Sequence, residues 1–129
     1  MKKFVIKSTA FSLTLVLLIF LKLYLNFGGF RNLIELLRRR QNNILQINKI
    51  RYVIKSIEIV CSIIPNISCL IRASVLKTIF NGSDNLKLNI GISTKKNGLF
   101  ESHAWIILDE NIILNDDANI GSYKVILSI

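Results

Sequence analysis

From Ser8 to Phe30 the chain carries a single charge, Lys22, in 23 residues. A run this apolar has to leave water. As a helix it is nearly long enough to cross a bilayer, which takes about 20 apolar residues. The basic start also imitates a secretory signal, but no small-residue cleavage site follows the run. Lysines flank it, and Arg31 and Arg38–Arg40 come next, so flanking charge gives a span no clear orientation. Gly28-Gly29 should break the helix, and Phe30, Leu33, Leu36 and Leu37 then form a short apolar stripe. Two placements follow. One is a helix packed into the domain or lying on a membrane; the other is a span, with residues 4–30 as the membrane contact in either membrane-bound case.

Charge divides the chain in the same place. Residues 1–55 hold eleven Lys and Arg against one acid, Glu35, and residues 56–129 hold six against seven acids. A basic half suits an anionic partner such as lipid. Nucleic acid is not expected, because neither zinc-ligand pairs nor a glycine-aromatic RNA signature accompanies the charge. With 51% apolar and 19% charged residues in 129, the chain is expected to fold as one domain with a modest core. The two cysteines, Cys61 and Cys69, form neither a secreted disulfide framework nor a zinc set. Reduced thiols in a cytoplasm fit them best, and no metal or cofactor is expected.

Beyond the basic segment the periodicity changes twice. From Asn43 to Ile64, apolar Ile47, Ile50, Ile54, Ile57, Cys61 and Ile64 recur at three- and four-residue steps, an amphipathic helix with Cys61 on its buried face. Pro65 stops it. "PNISCLIRASVLKTIFNG" reads as the next helix, with Ser68 as N-cap, Cys69 in the first turn and Gly82 as the stop. After Gly82, Leu86, Leu88, Ile90 and Ile92 alternate with polar or small residues, a strand. "TKKNG" is a turn, "LFESHAWIIL" a second strand, "DEN" a turn, "IILND" a third strand and "YKVILSI" a closing one. Helices first and an antiparallel sheet afterwards make an α+β fold. The expected organisation is 1–54 as hydrophobic and basic helices and 55–129 as the core, in one compact unit.

The residues able to do chemistry are few. A helix N-terminus favours a thiolate, which gives Cys69 the character of a nucleophile. A cysteine nucleophile needs a base within reach, and His103 is the only imidazole in the chain. The base needs an orienting acceptor on its other nitrogen. Asp116, in the "NDD" that ends the third strand, falls where it can sit beside His103. Asn115 and Asp117 are one residue away, and Asp109 lies in the turn. Singly, each is a common packing or turn residue. It is the order Cys, His, Asp on helix, strand and strand that points to catalysis.

"CLIRASVLKTIF" followed by "LKLNIGISTKKNGLFESHAWIILDENIILND" resembles the transglutaminase-like leader peptidase of lasso-peptide biosynthesis. Cys69-Leu70, Arg72-Ala73, Ile90-Gly91, Phe100, His103-Ala104-Trp105 and Asn115-Asp116 occupy that family's motif positions. The match covers about residues 55–129 well and the N-terminal helices more loosely. The resemblance implies a papain-like core in which Cys69 is the nucleophile, His103 the general base and acid, and Asp116 the orienter. It implies removal of a leader peptide from a ribosomally made precursor, after which an ATP-dependent cyclase closes a macrolactam. It also implies the stand-alone form, which works with a separate leader-binding protein. Two departures stand out: Ser102 replaces a usual Ala, and one extra apolar residue lies between His103 and Asp116. If a bulge or the turn does not absorb that residue, Asn115 becomes the orienter. Two other readings fit: a transglutaminase-like amidase or acyltransferase of different substrate, and a non-catalytic membrane-associated scaffold.

Overall fold

The computed structural model describes residues 2–39, 41–94, 98–116 and 120–129. Arg40, Asn97 of the Asn-Gly turn and Asp117 of "NDD" lie outside the described residues. Helix α1 runs Lys2–Arg38, α2 Ile50–Ile63 and α3 Cys69–Ile79, with a 3-10 turn, Ile47–Lys49, leading into α2. Strands β1 (Leu86–Thr94), β2 (Phe100–Leu108), β3 (Asn111–Leu114) and β4 (Lys124–Ser128) form one antiparallel sheet in the order β3-β2-β1-β4. This is the α+β arrangement expected from the order of periodicities.

The apolar run lies within α1, which continues past the glycine pair rather than ending there. Gly29 alone is non-helical, at φ 77° and ψ 172°, and kinks the helix. That combination is open essentially only to glycine. On one side of α1, Ala10, Thr14, Leu18 and Leu21 are buried at steps of three and four residues, and Leu33 and Leu37 are buried beyond the kink. The opposite side leaves Val16, Ile19, Phe20, Leu23 and Phe27 exposed. By length and composition α1 could cross a membrane, yet its inner face belongs to the same core as α2, α3 and the sheet. Asn81 closes its far end, with Nδ2 donating to the carbonyl of Arg39 at 2.8 Å.

Helix α2 starts later than the apolar period suggested, and its buried face is Ile50, Val53, Ser56, Ile57 and Val60. That turns Cys61 to a half-buried position at the edge of the core. Sheet alternation sends Leu86, Leu88 and Ile90 of β1, with Ala104 and Ile106 of β2, against the helices. The turn Asp109-Glu110 has φ of 50° and 71°, the left-handed pair that a two-residue hairpin needs. The extra residue of the β2–β3 connection is absorbed as a bulge: Ile107 pairs with Ile112 but Ile106 with Leu114, leaving Ile113 unmatched.

Candidate active site

Helix α3 begins at Cys69 because Ser68 caps it. Ser68 is extended (φ −71°, ψ 159°), its Oγ accepts from the Ile71 N–H at 3.3 Å, and its carbonyl accepts from Arg72 N–H at 3.2 Å. The N–H groups of Cys69 and Leu70 precede that first helical bond, so they stand at the positive end of the helix without an intrahelical acceptor. The cap anticipated from sequence thus holds Cys69 in the first turn of the helix.

His103 sits on β2 directly opposite Gly91 of β1. Its imidazole forms a triangle with two aromatic rings, stacked on Trp105 with centroids 5.8 Å apart and tilted against Tyr123 at 5.4 Å, while those two rings lie 6.3 Å from each other. Glycine at 91 permits this. A Cβ there would stand 2.9 Å from both Trp105 Cη2 and Tyr123 Cβ, closer than real contacts allow.

Asn115 joins the two halves of the site. It leaves β3 with φ 60°, a left-handed conformation that Asn tolerates better than most residues. Its Nδ2 donates to the carbonyl of Cys69 at 2.9 Å and to that of Ala104 at 3.0 Å. Its own carbonyl oxygen lies 2.6 Å from His103 Nε2. A carbonyl oxygen can only accept, so Nε2 carries a proton and, in the neutral ring, Nδ1 keeps its lone pair. Cys69 and His103 line one cleft of about 230 Å³ between α3 and the sheet.

Asp116 follows the accepting carbonyl. Its side chain is exposed and lines a neighbouring cavity of about 430 Å³ with Glu58, Cys61 and Arg72. Among the described residues, the His103 ring has its hydrogen bond with Asn115 and none with Asp116. In that second cavity, burial pushes the Cys61 thiol above its ordinary range, and the Arg72 guanidinium offsets this only in part through its charge and a hydrogen bond. Cys61 therefore stays protonated where a nucleophile would have to ionise. Among the described residues, no three His, Cys, Asp or Glu side chains gather to hold a metal.

Gly91 was named from sequence only as a motif position of the resemblance, and its part in the site, like those of Phe30 and Tyr123, was not singled out. Gly91 had a readable signal, since glycine inside a strand marks a bulge or a close approach. Phe30 was assigned to the apolar stripe of α1, and it also walls the cleft. Tyr123 carried no signal, because nothing local links the closing strand to His103.

A cysteine at a capped helix N-terminus shares a cleft with a histidine on an antiparallel sheet, the pair of side chains that a thiol nucleophile and its base require. Residues 14–128 match the Transglutaminase-like superfamily, and the chain belongs to it. That superfamily is typically one of cysteine-protease-like enzymes, peptidase and acyltransferase in type. Comparison with curated proteins and with solved structures found no match.

Proposed function

We propose that the protein is a cysteine peptidase that removes the leader from a ribosomally made lasso-peptide precursor before the macrolactam closes. The observation that carries the catalytic part is the Asn115 clamp. One residue fixes the imidazole tautomer through its carbonyl and ties the Cys69 backbone to β2 through its amide. The leader-peptidase part rests on the ordered motifs from Cys69 to Asp116.

In this mechanism Nδ1 of His103 takes the thiol proton, and Cys69 Sγ attacks the scissile carbonyl. The oxyanion forms beside the N–H of Cys69 at the helix N-terminus. The imidazolium then gives its proton to the leaving amine, and the acyl group remains as a thioester. Nδ1 next takes a proton from water, whose oxygen attacks the thioester, releasing the acid and restoring the thiol. The Asn115 carbonyl accepts from Nε2–H throughout.

The partners in this reading are the precursor, a separate leader-binding protein and the ATP-dependent cyclase. The site lies in the cytoplasm, with the outer face of α1 against the membrane. The exposed apolar residues of α1 and the basic charge of the first half favour that placement. The test is precursor cleavage, followed by mass spectrometry, with the leader-binding protein present. Cys69→Ala and His103→Ala should each abolish product, and undiminished cleavage by Cys69→Ala would end the assignment. Cleavage or acyl transfer on unrelated amides, with the precursor untouched, would favour a different transglutaminase-like activity.

A further inference from the structure

The cleft that holds Cys69 and His103 is otherwise nearly all hydrocarbon. Its walls are Phe30 of α1, Leu70 of α3, Ile90 and Ile92 of β1, and Ile126 of β4. Ser102 is its one other polar side chain, and apart from Cys69 and His103 none of the described lining residues is ionisable. At about 230 Å³ it is smaller than the ~300 Å³ and above typical of pockets that enclose a whole small ligand. It has room for one side chain. Its mouth is formed by Phe30, 49% exposed, and Ile126, 56% exposed, large apolar groups left in water where a substrate would cover them.

Phe30 reaches the mouth from the far end of the sequence, and the residue before it is the kink. A Cβ on Gly29 would meet nothing within 4 Å, so the demand for glycine there comes from its backbone conformation alone. The break in α1 therefore sets where the Phe30 ring stands.

We infer that this cleft is a specificity pocket for one aliphatic or aromatic side chain of the substrate peptide, within two residues of the cleaved bond, with Phe30 as its outer wall. The inference rests on the catalytic reading above and adds the chemical class that the site accepts. A charged side chain seated against these hydrocarbon walls would lose hydration and find no charged partner among Phe30, Leu70, Ile90, Ile92 and Ile126 in return. The pocket selects by the favourable transfer of hydrocarbon and by that penalty.

The test uses short N-capped peptidyl acyloxymethyl ketones. The Cys69 thiolate displaces the carboxylate leaving group, a thioether C–S bond forms, and the adduct is assigned to Cys69 or Cys61 by mass spectrometry. The probes carry Leu, Phe, Asp or Lys at one of the two residues before the ketone. At one of those positions, Leu and Phe should label Cys69 at least about tenfold faster than Asp and Lys. Phe30→Ala should bring that ratio towards one, and Phe30→Leu should restore most of it. Gly29→Ala should also lower it. Phe30 is half-exposed, so its replacement leaves the buried core intact, and the ratio is internally normalised against changes in thiol reactivity. Rapid labelling of Cys69 without preference at either position, or a preference unchanged in Phe30→Ala, overturns the pocket and leaves the nucleophile standing. Equal, slow labelling of Cys69 and Cys61 by every probe overturns the catalytic reading and the pocket with it.

Discussion

Replacing Asn115 separates the clamp from the strain it carries. Asn115→Ala removes the two hydrogen bonds from Nδ2, to Cys69 O at 2.9 Å and Ala104 O at 3.0 Å. Each is worth about 1 kcal/mol net. It also puts alanine at φ 60°, where a side chain without a local polar group costs about 1 kcal/mol more. The sum is about 3 kcal/mol, near a hundredfold in the unfolding equilibrium and roughly 10 °C in Tm for a domain of this size. Asn115→Gly loses the same hydrogen bonds but accepts the conformation, so it should be destabilised by about 2 kcal/mol. Urea unfolding followed by circular dichroism gives both values. Both variants keep the backbone carbonyl that faces His103, yet both free the Cys69 backbone from β2, so precursor cleavage should fall at least about tenfold in each. The reasoning is refuted if Asn115→Ala is as stable as the parent. Lost stability with full cleavage would make Asn115 a structural tie only, and the catalytic argument from the clamp would fail.

Four further outcomes are expected. Cys61→Ala should retain cleavage, and iodoacetamide mapping of the parent should show Cys61 alkylated appreciably only above the ordinary thiol range, since burial holds its thiol protonated; rapid neutral-pH labelling of Cys61 would contradict this. Gly91→Ala should force Trp105 or Tyr123 aside, costing about 1–3 kcal/mol. The emission of Trp105, the one tryptophan in the chain, should shift with it, and an unchanged spectrum with unchanged stability would refute the close approach. Asp116→Asn should lower cleavage less than His103→Ala, because the contact on Nε2 comes from Asn115; an equal loss would make the carboxylate the true orienter. Phe20→Asp with Phe27→Asp, on exposed positions of α1 (52% and 89%), should cut co-sedimentation with anionic vesicles at least about tenfold without unfolding the domain. Equal binding by parent and variant would remove the membrane from the proposal.

What the sequence disclosed depended on how local the cause was. The Ser68 cap, the β1 and β2 strands and the helix-then-sheet order are written in neighbouring residues, through capping chemistry and through periods of 3.6 and 2. The buried face of α2 was read one step off. Its first turn is a 3-10 segment, and Val53 and Val60 lie deeper than Ile54 and Cys61. A chain rich in Ile and Leu offers several near-equivalent apolar stripes, and only tertiary packing chooses among them. The placement of α1 had the same ambiguity, because a helix apolar on every side specifies no face. Its buried side became visible only with α2 and α3 beside it.

The acceptor on His103 shows the limit in its sharpest form. Residue type favoured Asp116, since an ionised carboxylate is the stronger acceptor in principle. What decides the contact in the structure is backbone shape. The bulge at Ile113 shifts the register of β3 by one, and the left-handed turn at Asn115 then aims a carbonyl at Nε2 while the side chain turns back to Cys69. A main-chain oxygen is present at every residue, so no letter in "NDD" could mark it. Asparagine there does leave a trace. It is the residue that accepts a positive φ and still offers two N–H donors, which aspartate in the same place would turn into repulsion against two carbonyls.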